Sequence, residues 1–191
     1  NKLVAHSSDI ENILQCSNPH FQLADMNQPL PFDPDFFDAV VCIDGIEHIE
    51  RPFDFVRECH RILKSGGQLI ISTPNISSIR SRWRWFLTGH HNKCRTPLDE
   101  CHTNPLHHIS MISYPEIRYR LHSNGFQITA ITTNRIKYVN YLYIPWLPIA
   151  YLATRGVYQK HEKDPEQKER NWEILKQMFS LAVLFGETLI V

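Results

Sequence analysis

This chain of 191 residues lacks several features that would have narrowed its function at once. It has no charge imbalance: 20 lysines and arginines face 20 aspartates and glutamates. A nucleic acid bound through bulk electrostatics is therefore not expected. None of its five cysteines forms a C-x-x-C pair. Cys94 and Cys101 lie near His90, His91 and His102, but their spacings match no common zinc motif. Cys42 and Cys59 sit inside apolar patterns, as buried thiols of a reducing, cytoplasmic setting do. The chain opens on Asn1 rather than methionine and shows no signal-peptide pattern, so a processed N-terminus or a fragment is expected. No apolar run approaches the roughly 20 residues a spanning helix needs. No repeat of fixed period occurs. Hydrophobic residues nonetheless make up 42% of the chain and aromatics 11%, enough to bury a core within a single domain.

The organisation is α/β. Residues 6–16 read as a short helix capped by Ser7 or Ser8, and Phe21–Ala24 as a strand ending at Asp25. Three prolines break the stretch 27–35. Ala39–Asp44, AVVCID, is an almost continuous β-branched run of the kind found in a covered parallel sheet. Pro52 opens a helix with Phe53, Val56, Cys59, His60 and Leu63 on one face, closed by Gly66-Gly67. Gln68–Thr73 is the next strand, completing a right-handed βαβ unit. The theme returns with a helix over 115–124 and a strand over Phe126–Thr132. Lys160–Arg170 reads as a solvated charge run, 171–182 as a helix and Leu184–Val191 as a terminal strand interrupted by Gly186.

Four stretches in order, residues 24–52 (ADMNQPLPFDPDFFDAVVCIDGIEHIERP), 55–75 (FVRECHRILKSGGQLIISTPN), 107–126 (HHISMISYPEIRYRLHSNGF) and 184–191 (LFGETLIV), resemble the class I S-adenosylmethionine-dependent methyltransferase family. The resemblance implies a Rossmann-like sheet with helices on both faces and an antiparallel last strand. On that map Phe21–Ala24 is the third strand of seven, and the first two, with their glycine-rich turn, are absent from this fragment. Gly66-Gly67 follows a helix and precedes a strand, the reverse of a cofactor loop, so the chain as it stands is expected to hold cofactor poorly. The expected division is a partial methyltransferase core over 1–134, an aromatic and charged insertion over 135–170, and the core's final helix and strand over 171–191.

Open α/β sheets bind ligands at the carboxyl ends of their strands. By resemblance Asp25 accepts a hydrogen bond from the adenine amino group, Met26 meets the ring edge through its backbone, and Asp44 with Gly45 lies where the sulfonium meets the acceptor. Isolated aspartates at such points are otherwise turn formers. His48 is read either as a general base for a hydroxyl acceptor or as a structural partner of Asp44. His108 is read as facing the acceptor, or as solvated like His107. Asp44, Glu47 and His48 also resemble the ExxEH pattern of metal-assisted O-methyltransferases, which leaves a hard or borderline divalent cation as a further alternative.

Residues 79–87 mix arginines with tryptophans at helical spacing, and 138–151 add Trp146 and four tyrosines. Either they cover the substrate pocket or they touch a membrane surface peripherally. The expected activity is methyl transfer to a small-molecule, glycan or lipid-linked acceptor, preferably at oxygen. The alternative is a non-catalytic scaffold that kept the fold. A nicotinamide dehydrogenase would share the sheet but not the LFGETLIV ending.

Overall fold

A computed structural model describes residues 4–11, 20–102, 104–160 and 162–191. Two hydrogen-bonded ladders organise them. Strands β1 (Ser7–Asp9) and β2 (Phe21–Leu23) pair in parallel. Strands β3 (Phe37–Ile43) and β4 (Leu63–Pro74) are parallel, and β5 (Thr188–Ile190) adds antiparallel to β4. AVVCID is thus a parallel strand, and the last strand runs against its neighbour as expected.

Helix α1 (Pro52–Ile62) makes the β3–β4 crossover. Its Phe55, Val56, Cys59 and Ile62 are buried with Ile71 of β4, Leu189 of β5 and Ile117 and Leu121 of helix α3 (Tyr114–Ser123). These positions recur every three or four residues, which is why a helix rather than a strand buries them. The two cysteines behave as small core residues: Cys42 and Cys59 are free and buried, and burial pushes the Cys42 thiol up to about 11. The opposite face of the β3–β4 ladder is open. Val41 and Ile43 stand 57% and 64% exposed, and Ile70, the register partner of Val41, 39%.

The other elements are α2 (Ile79–Thr88), a 3-10 segment over Tyr138–Trp146, α4 (Leu147–Lys160), α5 (Pro165–Met178) and α6 (Leu181–Phe185). Ser78 caps α2 by accepting from the Ser81 amide at 3.3 Å. Among the described residues no helix is long and apolar enough to cross a membrane.

Several expectations need correcting. Ser7–Asp9 is extended rather than helical because it finds a parallel partner in Phe21–Leu23; residues 12–16 of that expected helix lie outside the described ones. Helix α1 ends at Ile62, before the glycines, and β4 begins at Leu63. Gly66 instead takes a φ of +79° inside β4, where the register with β3 shifts between Phe37 and Ala39. Only glycine enters that conformation without strain. Phe126–Thr132 contributes one bridge rather than a ladder strand, with Thr132 and Ile190 exchanging backbone hydrogen bonds. Its Phe126, Ile128 and Ile131 still pack on the core. The charge run is half helix: Asp164 caps α5 by accepting from the Glu166 amide at 3.1 Å, and Arg170 pairs with Glu166 one turn away. Leu184 and Phe185 belong to α6, whose cap is Ser180.

Candidate active site at the strand ends

The carboxyl ends of β2, β3 and β4 converge. Asp25 follows β2 and is exposed. Its Oδ1 accepts from the Asn27 amide at 2.8 Å and from Asn27 Nδ2 at 3.2 Å, leaving Oδ2 open to another donor. Met26 folds back toward β3, where a Cβ on Gly45 would lie 3.1 Å from Met26 Cε and 3.2 Å from Cys42 Sγ. Asp25 and Asp44 therefore stand on the same rim of the fold.

Asp44 ends β3 with a φ of +44°, a left-handed conformation that aspartate enters more readily than most residues. Ser72 of β4 holds it there. The Asp44 amide donates to Ser72 Oγ at 3.0 Å and to the Ser72 carbonyl at 3.1 Å, and Ser72 Oγ donates to Asp44 Oδ1 at 2.8 Å. The strained turn sends the chain into a 3-10 turn, Ile46–His48.

That turn buries Glu47, whose side chain meets Thr73 rather than water: Thr73 Oγ1 donates to Glu47 Oε2 at 3.1 Å. Burial raises the Glu47 carboxyl above its ordinary range, because the charged form loses hydration that one hydroxyl does not replace. His48 Nδ1 lies 3.1 Å from the His107 carbonyl oxygen. A carbonyl only accepts, so Nδ1 carries the hydrogen and Nε2 keeps a free electron pair while the ring is neutral. The His108 ring stands edge-on to that of His48 at 4.8 Å, and burial lowers its pKa. Its Nδ1 is buried without a hydrogen-bond partner. Residues 107–110 are tied down where the Ser110 amide donates to the Glu47 carbonyl at 2.9 Å and Ser110 Oγ to the Ile49 carbonyl at 2.6 Å.

Asp25, Met26, Asp44, Gly45, His48 and His108 thus fall at this rim or on the segment 107–110 tied to it. Glu47, His48 and His108 each offer a ligand atom within 4.8 Å of the others; Asp44 is turned toward Ser72 and stands outside that trio. Ser72 and Thr73, which fix Asp44 and Glu47, were not anticipated. Their only signal was a pair of hydroxyl residues closing the apolar run QLII.

Comparison with known proteins finds likenesses in sequence and in fold. Residues 4–71 match the family described as Methyltransferase domain. Over 42 residues the chain is 45% identical to a ubiquinone biosynthesis O-methyltransferase of Pseudomonas paraeruginosa and 43% identical to one of Pseudomonas putida. Each match covers 22% of this chain and 18% of the relative, so the chain aligns with about a fifth of the curated relatives' length. A methyltransferase structure from Archaeoglobus fulgidus superposes with a TM-score of 0.50 at 16% identity, covering 96% of this chain and 73% of that one; it shares the fold.

The chain resembles the class I S-adenosylmethionine-dependent methyltransferase family, in sequence over residues 4–71 and in its fold. The cofactor of that family is S-adenosylmethionine.

Proposed function

We propose that the complete protein moves a methyl group from S-adenosylmethionine to an oxygen of a small-molecule, glycan or lipid-linked acceptor. One observation carries the reading: the ends of β2 and β3 meet, Met26 against Gly45, with a histidine whose Nε2 is free beside them. When bound, S-adenosylmethionine supplies an electrophilic methyl group on a sulfonium. In this chain Asp25 Oδ2 would accept from the adenine amino group, and Gly45, whose missing side chain makes room for Met26 and Cys42, would let the ends of β2 and β3 close up beside the methyl donor. His48 Nε2 would take the proton of an acceptor hydroxyl, a role worth about 10²–10⁴-fold in rate. Otherwise alignment and exclusion of water suffice for an in-line displacement. Residues 135–170 would form a cover next to this rim. The oxygen preference is supported by the names of the curated relatives.

Calorimetric titration of the complete protein with S-adenosylmethionine and with its demethylated product tests this. Heat from both is expected, and heat from neither would leave a scaffold that kept the fold. His48→Ala is expected to slow turnover by at least the lower end of that range while leaving cofactor affinity within about twofold.

A second reading is favoured by the unpartnered His108 Nδ1: Glu47, His48 and His108 would together hold one divalent cation. One carboxylate and two imidazoles suit a borderline metal, and the bound charge would lower the pKa of an acceptor hydroxyl.

A further inference from the structure

Charge is segregated along this chain although it sums to zero. Residues 76–98 and 134–160 hold nine lysines and arginines and no aspartate or glutamate, leaving eleven cations against twenty carboxylates elsewhere. The two segments meet in the fold. Trp83 of α2 stacks on Trp146 with centroids 5.5 Å apart, and the Tyr143 ring lies 6.5 Å from it. Ile79, Leu184 and Phe185 are buried beneath, with Tyr143 and Leu147 packed against them.

That inner contact leaves a set of large apolar side chains in solvent. Trp85, Phe86 and Leu87 of α2, Leu142 of the 3-10 segment, and Ile149 and Leu152 of α4 are all exposed, Phe86 by 73% and Leu142 by 74%. No residue of α4 is buried, and Ile149, Leu152, Ala153 and Gly156 recur at the spacing of one helix face. Exposed apolar side chains gathered on neighbouring elements mark a contact site.

The cations identify the contact. Lys93, Arg135 and Lys137 share Glu187. Arg80, Arg84, Arg95, Arg155 and Lys160 have no carboxylate within 4.0 Å among the described residues, since every ion pair found there uses other cations. Tryptophan and tyrosine interleaved with arginine and lysine form the composition that partitions to the boundary between headgroups and acyl chains. A second copy fits less well, because a two-fold contact would bring these cations against their own images.

We propose that α2, the 3-10 segment and α4 form a docking face for an anionic lipid bilayer, with the exposed aromatic and aliphatic side chains entering the acyl boundary and the unpaired cations meeting headgroup phosphates. The proposal rests on these exposed side chains and cations and does not depend on methyl transfer.

Flotation of the full chain with phosphatidylcholine vesicles and with mixed phosphatidylcholine–phosphatidylglycerol vesicles tests it. The chain is expected to float with the mixed vesicles at low salt, with a blue shift of tryptophan emission, and to stay behind with phosphatidylcholine alone. Reversing Arg80 and Arg95 to glutamate should lower partitioning at least about fivefold per residue. Phe86→Ser with Leu142→Ser should abolish the blue shift. Both pairs lie at the surface, and unchanged melting curves will show that the variants fold. Val41→Ser, on the open sheet face, should leave flotation as it was. Binding that ignores lipid charge, survives the paired substitutions or disappears with Val41→Ser overturns the proposal. So does a dimer in sedimentation that the Phe86/Leu142 variant dissolves, which would give the face to a second copy.

Discussion

Glu47 Oε2 accepts a hydrogen bond from Thr73 Oγ1 at 3.1 Å, and the glutamate that makes this contact is only 1% exposed. The pair joins the turn after β3 to the end of β4. It also leaves an acid in a place that disfavours its charge.

The pH dependence of stability follows from the direction of that shift. The folded state holds the Glu47 proton more tightly than the unfolded chain, whose carboxyl titrates near 4.5. The contribution of Glu47 is thus most favourable below that value and declines as pH rises through the folded pKa. Glu47→Gln removes the decline. Urea midpoints at a series of pH values should show the variant gaining on the parent from pH 4.5 upward; a constant difference would refute the burial argument.

Glu187 has the opposite sign. Arg135, Lys137 and Lys93 surround its carboxylate and hold its pKa down to about 2, the hydrogen bond from Arg135 contributing most. Its stabilisation is full above the ordinary carboxylate range and is lost as pH falls toward 2. Glu187→Gln should cost about 1–3 kcal/mol at pH 7 and progressively less in acid. Thermal melts of both proteins across pH 2–7 measure this, and a cost that grows in acid would contradict it.

The contact between Met26 and Gly45 has a steric test. Gly45 has a φ of −123°, so a side chain meets no backbone strain there; only Met26 and Cys42 stand in its way. Gly45→Val should destabilise by about 1–3 kcal/mol through overpacking, and Met26→Ala should recover part of that cost. A double-mutant cycle with no coupling would mean that the two strand ends do not touch.

For the Glu47–His48–His108 trio, cobalt is an optical probe that needs no activity assay. Titration with Co²⁺ is expected to give a visible ligand-field band that His108→Ala and Glu47→Gln each remove, whereas Asp44→Asn keeps it. Absence of the band in the parent protein sinks the metal reading and leaves the general-base reading of His48 in place.

Much of the fold was legible because its elements announce themselves locally. AVVCID is too short and too β-branched for a helix, and Pro52 with Val56 and Cys59 marks a helix start and its buried stripe. The site was legible to the extent that strand ends locate it. What stayed hidden depends on partners distant in sequence. Ser7–Asp9 is a strand only because residues 21–23 come alongside. His108 becomes special only because Ser110 ties its loop to Glu47, 63 residues away. The start of α5 does carry a local signal: within the charged residues 160–170, Asp164-Pro165 is a cap followed by a first-turn proline.

The bare side of the β3–β4 ladder has a practical consequence. Val41, Ile43 and Ile70 form a water-facing row of branched hydrocarbon, and β3 has a hydrogen-bonded neighbour on one edge only among the described residues. Sheets in that condition recruit strands from other molecules. Handled alone in concentrated solution, this polypeptide should therefore cluster through the interior of its own fold, and keeping it dispersed will require dilution, detergent or a charged residue grafted onto that row.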